Sequence, residues 1–152
     1  MKQNDLPWLK TLTRCHFGSE KIIIDQAVFF PHKKDGFVAF DGAKRVGVIV
    51  YQINDSLLEI ILLDALQSKP DIFKSLLAQI SETAIQANCA RIRVTTTNDN
   101  TDALQLYQQK GFQICALRKN AVTAARKIKP EIPETGDNSI PIRDEIELEK
   151  YL

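Results

Sequence analysis

Residues 95–112, TTTNDNTDALQLYQQKGF, constrain the fold more than any other stretch. Thr95 to Thr97 are β-branched and close a strand opened by Arg91-Ile92-Arg93-Val94. Asn98, Asp99 and Asn100 break that strand, and each can accept from the free amides of a following helix. Ala103, Leu106 and Tyr107 recur at i, i+3 and i+4, so one helical face carries all three. Gly111 ends the helix and Phe112 restarts an apolar strand. The stretch therefore reads as a strand–helix–strand unit with polar residues gathered where the first strand ends.

The rest of the chain fits around that unit. Pro7 suits the first turn of a helix with Trp8, Leu12 and Cys15 as its inner stripe and Gly18 as its stop. Four extended segments follow, at 21–30, 36–41, 45–53 and 57–64. Asp41-Gly42 and Asn54-Asp55-Ser56 turn the last three into an antiparallel meander. Phe73, Leu76, Leu77, Ile80 and Ala84 mark a long helix over 71–88. That helix is a crossover, which sets strand 91–97 parallel to 57–64. After a strand at 112–117, Val122, Ala125 and Ile128 give residues 120–129 helical spacing. Pro130, Pro133, Gly136 and Pro141 then make an irregular loop. Ile146, Leu148 and Lys150 alternate against Glu145, Glu147 and Glu149 in a last strand, expected antiparallel to 112–118. The expected fold is one α/β domain over 1–152, a mixed, mostly antiparallel sheet with helices on both faces. Residues 120–141 form an insertion between its last two strands.

Bulk properties exclude several classes. The chain has 152 residues, long enough to bury a core without disulfide or metal staples. A net charge of +1 gives no general drive toward nucleic acid or an anionic membrane. No apolar run approaches the roughly 18–20 residues of a membrane span, and MKQNDLPWLK lacks the apolar stretch of a signal peptide, so a cytoplasmic location is expected. Cys15, Cys89 and Cys115 are odd in number and widely spaced, which argues against disulfides. No metal site is expected: neighbours such as Cys15 and His16 diverge by about 100° on a helix. Buried thiols and surface histidines are the expectation. Arg118, Lys119, Arg126, Lys127 and Lys129 form one basic cluster, expected as a solvated helix face.

The run Asn100, Ala103, Leu106, Tyr107, Gly111, Phe112 (N-x-x-A-x-x-L-Y-x-x-x-G-F) resembles the motif that closes the acetyl-CoA site in the GNAT superfamily of N-acetyltransferases. The segments ARKIKPEIP and IPIRDEIELEKYL are similar to those of a bacterial subgroup with a long insertion before the last strand and no assigned substrate. The resemblance thus covers nearly the whole chain. It implies the GNAT fold, acetyl-CoA as cofactor, and direct acetyl transfer to a primary amine on a small molecule or peptide. A homodimer is compatible with it; nucleic acid and membrane partners are not expected. The insertion would lie on the acceptor side of the cleft.

Transfer to an amine needs a polarised thioester, a neutral amine and a proton for the leaving thiolate. An alkylamine with a pKa near 10 is only about one-thousandth neutral at pH 7, and a positioned base is worth ~10²–10⁴-fold. Glu59 lies in the apolar strand 57–63, where burial would raise its pKa; the resemblance also implies it as base. The matching tyrosine, Tyr107, is implied as the acid. Asn100 is implied as a cofactor contact, with helix capping as its alternative use. Leu63 and Ala65 would offer backbone groups to the pantetheine arm, one of them as an oxyanion donor. Ala103, Ile72, Phe73, Lys74 and Ser75 complete the expected cofactor-binding set.

One stretch departs from the family pattern. Relatives carry R/Q-x-x-G-x-G/A before the long helix, whose bare amides cradle the CoA diphosphate. Here the stretch is Ser68-Lys69-Pro70-Asp71-Ile72-Phe73-Lys74-Ser75, with Asp71 and Phe73 in place of the glycines. Alone it reads as a helix start, with Ser68 or Lys69 at the cap and Pro70 in the first turn. A lost cradle would leave a catalytically silent GNAT-fold interaction or regulatory module, the rival reading.

Overall fold

A computed structural model of the chain describes residues 1–66 and 69–152, with the backbone alone for Asp137. Helix α1 (Leu6–Phe17) is followed by a hairpin of two short strands, β1 (Ile22–Ile24) and β2 (Ala27–Phe29). The main sheet then begins with β3 (Asp35–Asp41), β4 (Lys44–Asn54) and β5 (Leu57–Ala65). Helix α2 (Pro70–Gln86) leads to β6 (Arg91–Thr97), and α3 (Thr101–Gln109) to β7 (Gln113–Arg118). Helix α4 (Ala121–Ala125) and a long loop precede β8 (Glu145–Tyr151). The six-stranded sheet runs β3-β4-β5-β6-β8-β7, and β5/β6 is its one parallel pair among the described residues.

Helices cover both faces. On one, Phe73, Leu76, Leu77 and Ile80 of α2 pack with Tyr107 of α3 against Ile49, Leu58, Ile60, Ile92, Val94 and Leu148. On the other, Leu9 and Leu12 of α1 pack against Val48, Val50, Ile61 and Leu62. A bulge between Val50 and Tyr51 lets adjacent residues Ile60, Ile61 and Leu62 all be buried. No helix among the described residues is long and apolar enough to cross a membrane.

Several expectations are corrected. The inner stripe of α1 is Leu9, Leu12 and Thr13; Trp8 is half-buried against Arg45, and Cys15 is exposed. The segment 21–30 is a hairpin, because Asp25 and Gln26 adopt φ of 47° and 63° and reverse the chain. Cys115 is exposed too, leaving Cys89 as the buried thiol. The helix expected over 120–129 closes after Ala125. Its basic cluster is largely consumed internally. Arg118 donates to Glu145 (2.8 Å) and Glu147 (2.6 Å), Arg126 to the carbonyls of Pro133 (2.7 Å) and Ile142 (2.6 Å), and Lys129 is buried. The glutamates of β8 therefore face arginines rather than open water, with Arg93 on Glu149 at 2.6 Å. Cys115, Glu147 and Glu149 do come together, but both carboxylates already hold guanidinium partners. Ser68, one of the two expected caps of the long helix, lies outside the described residues. Lys69 is its N-cap and makes no side-chain cap bond.

Candidate active site

The site grows from a parting of strands. β5 and β6 pair only from Leu57/Arg91 to Ile60/Val94. Beyond that point β5 stays with β4 as far as Ala65, and β6 stays with β8 as far as Thr97. The edge of Ile61–Ala65 that faces β6 is thus left without a strand partner, as an added extended chain would require. Through the gap runs a cleft of about 470 Å³.

One end is lined by Leu63, Phe73, Asn100, Ala103 and Tyr107. Tyr107 is almost fully buried, its ring 5.2 Å from that of Phe73 and 5.4 Å from that of Phe112, centroid to centroid. Burial pushes its phenol well above the usual tyrosine value, so it stays protonated at any working pH. Full proton transfer to a thiolate is correspondingly more uphill than for an exposed tyrosine, while hydrogen-bond donation to sulfur is unimpeded. Asn100 caps α3 by accepting from the Ala103 amide at 3.3 Å. That uses its Oδ1 and leaves its amide NH₂.

The start of α2 differs from the obstruction that its sequence suggested. The Asp71 carboxylate is 98 % exposed, facing Lys74 at 3.9 Å, so it lies out in solvent. Phe73 drops into the core beside Tyr107. In the first turn the Ile72 and Phe73 amides both donate to the Lys69 carbonyl, at 3.2 and 3.3 Å. Gly47 of β4 allows this turn to sit down on the sheet: a Cβ there would come within 2.7 Å of Ile72 Cγ2.

The other end of the cleft is built by α1, the hairpin and the insertion. His16, Phe17, Ile22–Ile24, Val122 and Lys129 line it, with Glu145 at its floor. Two reciprocal bonds close it: Lys21 Nζ donates to the Ile128 carbonyl (2.9 Å), and Lys129 Nζ to the Lys21 carbonyl (2.7 Å). Desolvation lowers the Lys129 pKa. His16 Nδ1 lies 2.5 Å from Asp64 Oδ2.

Of the expected residues, Leu63, Phe73, Asn100, Ala103 and Tyr107 meet in the cleft. Ala65, Ile72, Lys74 and Ser75 do not line it; Ala65 and Ile72 support it from the packed face. Glu59 is also outside it. It sits in the closed part of the sheet, opposite Arg93, and accepts from Gln52 Nε2 at 2.8 Å. In the sequence His16 stands only beside Cys15, as a poor metal pair and a surface histidine; its partner Asp64 lies 48 residues on, where no local spacing points.

The family model described as "Acetyltransferase (GNAT) family" matches residues 6–112. The chain belongs to the acetyltransferase (GNAT) family. The uncharacterized Bacillus subtilis protein YdhI is 41% identical over 138 residues, 90% of this chain and 86% of its own. Among solved structures, an IAA acetyltransferase from Bacillus cereus superposes with a TM-score of 0.70 at 27% identity, over 80% of this chain and 81% of that one. A GNAT acetyltransferase from Elizabethkingia anophelis with acetyl-CoA bound gives 0.65, also at 27% identity, over 76% and 74%. The GNAT fold expected from residues 100–112 is the fold of this chain, and acetyl transfer is the general chemistry of its family.

Proposed function

We propose that the chain is an N-acetyltransferase that binds acetyl-CoA in the gap between β5 and β6 and passes the acetyl group directly to a primary amine. The observation that carries this reading is the unpaired edge of β5 beyond Ile60, of which Ile61, Leu62 and Leu63 line the same cleft as Tyr107. Bound acetyl-CoA would supply an acetyl thioester. Backbone groups of Leu63 and its neighbours would hold the pantetheine arm as a strand holds its partner, with an amide of the parted edge aimed at the thioester oxygen. The Asn100 NH₂ would meet a cofactor carbonyl. Tyr107, wedged between two rings, would donate to the sulfur as the C–S bond breaks. At the first turn of α2 the Asp71 side chain is exposed and the Phe73 ring is in the core. The positive end of the helix can therefore still favour a diphosphate although the Ile72 and Phe73 amides are spent on Lys69, and this favours the enzyme over the silent module. The acceptor would enter from the α1 side, past the insertion.

Calorimetric titration with acetyl-CoA tests the reading. Binding in the micromolar range, weakened by Leu63→Pro, which strips the strand edge of an amide, is the expected result. No heat and no rise in melting temperature at saturating acetyl-CoA would leave the silent module. Because Glu59 stands outside the cleft, Glu59→Gln is expected to lose far less turnover than the ~10²–10⁴-fold that removal of a general base causes.

A further inference from the structure

We infer that His16, held by Asp64, is the general base of this cleft, with its Nε2 taking the proton from the acceptor nitrogen. The inference rests on the proposed amine acetylation and adds the residue that activates the amine.

The pair is assembled by tertiary structure. His16 occupies the last turn of α1, and Asp64 the parted end of β5, one residue beyond Leu63. Strand alternation places Asp64 on the face opposite Leu63, toward α1. The carboxylate is 15 % exposed and the imidazole 43 %, so the anion is sheltered while the ring reaches the cleft that His16 lines. With Nδ1 on Asp64 Oδ2 at 2.5 Å, the carboxylate calls for the proton on Nδ1, so Nε2 is the nitrogen left for the acceptor amine. A carboxylate in this place also stabilises the imidazolium that forms when Nε2 accepts a proton.

Alternative bases fit less well. Glu145 already accepts from Arg118 and from the Asp25 amide. Lys129 spends its ammonium on the Lys21 carbonyl. Glu131 packs its Cβ about where a side chain on Gly18 would stand, at the rim two residues from His16. Glu59 is outside the cleft. Asp99 also lines the cleft, but it is buried, accepts from Thr97 Oγ1 at 2.5 Å and adjoins Asn100 at the cofactor end, whereas His16 stands at the acceptor end with Asp64 to orient it.

The step balances without another reactant. The neutral amine forms the C–N bond to the thioester carbon, and the nitrogen loses a proton to His16 Nε2. The C–S electrons leave on sulfur, which ends as the thiol with a proton by way of Tyr107. The proton on His16 returns to water, from which Tyr107 is replenished.

The chain holds only two histidines, His16 and His32, so its imidazole nitrogens can be assigned by NMR with His32→Asn as the subtraction. The native protein should show His16 protonated at Nδ1 and bare at Nε2, and Asp64→Asn should release it to the Nε2–H form common in solution. A native Nε2–H tautomer would overturn the inference. Turnover is read separately, with acetyl-CoA and n-butylamine as probes and thiol release as the signal. His16→Gln should lower kcat about 10²-fold or more, with the calorimetric Kd for acetyl-CoA unchanged. Asp64→Asn should lower kcat about tenfold with restoration by Asp64→Glu, as expected of a positioning residue. Full kcat in His16→Gln, or a loss explained wholly by weaker acetyl-CoA binding, overturns the base. With no native turnover of butylamine the tautomer decides. Failure of the native chain to bind acetyl-CoA strikes instead at the proposed function and leaves the tautomer result standing.

Discussion

Two helices begin where the central strands part, and they begin in opposite ways. α3 starts under a side-chain cap, with Asn100 Oδ1 on the Ala103 amide, and all of its family positions are in place. α2 starts without one: Lys69 makes no side-chain cap bond, Pro70 brings no amide, and the glycines of the family pattern are gone. At the closed start Asn100, Ala103 and Tyr107 line the cleft, Leu106 and Phe112 belong to the core, and Gly111 holds a φ of 87° at the far end. The open start could lose its glycines because the replacements turn elsewhere, Asp71 to solvent and Phe73 to the core. A glycine at a helix start can serve the backbone's approach to a ligand or simply have no side chain to place. Here a phenylalanine does a second job, as one of the two rings that hold Tyr107.

That division makes Phe73 the costliest position to restore to the pattern. Phe73→Ala empties a site that is 7 % exposed and removes a ring at 5.2 Å from Tyr107. A loss of about 3–5 kcal/mol in chemical denaturation is expected, with Tyr107 no longer fixed and kcat falling. If Phe73→Gly instead bound acetyl-CoA more tightly at unchanged stability, the ring would be an obstruction after all. Next comes Gly47. An alanine there meets Ile72 Cγ2 at 2.7 Å and the Asp64 carbonyl at 3.1 Å, so Gly47→Ala should cost about 1–3 kcal/mol of overpacking. It should also weaken acetyl-CoA binding by lifting the first turn of α2. Unchanged binding in that variant would separate the turn from the cofactor.

Asn100 divides its two ends. Asn100→Ala removes the cap and should cost ~0.5–2 kcal/mol. Asn100→Asp keeps an accepting oxygen and should hold the melting temperature while weakening acetyl-CoA binding, since only its NH₂ is lost. Equal affinity for the two variants and the native chain would reduce Asn100 to a cap.

The same contrast explains what could be read from the sequence. Local chemistry wrote the capped helix: Asn100, the i, i+3, i+4 face and Gly111 all act within about a dozen residues. The meander was likewise legible from Asp41-Gly42 and Asn54-Asp55-Ser56. Alternation in β8 correctly gave a strand but misjudged its glutamates, because Arg93 and Arg118 arrive from neighbouring strands and no local period announces them. The hairpin turn at Asp25-Gln26 has neither glycine nor asparagine and so gave no signal. His16 and Asp64 are joined only by the way α1 packs on β5. The cofactor half of the cleft is a matter of motif; the acceptor half is a matter of packing.

The smallest effect belongs to the residue whose sequence position suggested the largest. Asp71 stands in the first turn of α2, where its charge favours the macrodipole by a few tenths of a kcal/mol at full exposure. Its contact with Lys74 adds little, since both groups are largely in water. Asp71→Asn should therefore shift stability by less than ~0.5 kcal/mol. Removing a negative charge within a Debye length of a diphosphate should tighten acetyl-CoA binding by a few-fold at most, and less as salt rises. The check is calorimetry of the native chain and the variant at low and at physiological salt. A gain of ~10²-fold, insensitive to salt, would mean that the carboxylate sits among the phosphate oxygens. The open start of α2 would then be shut, and the contrast with α3 would reverse.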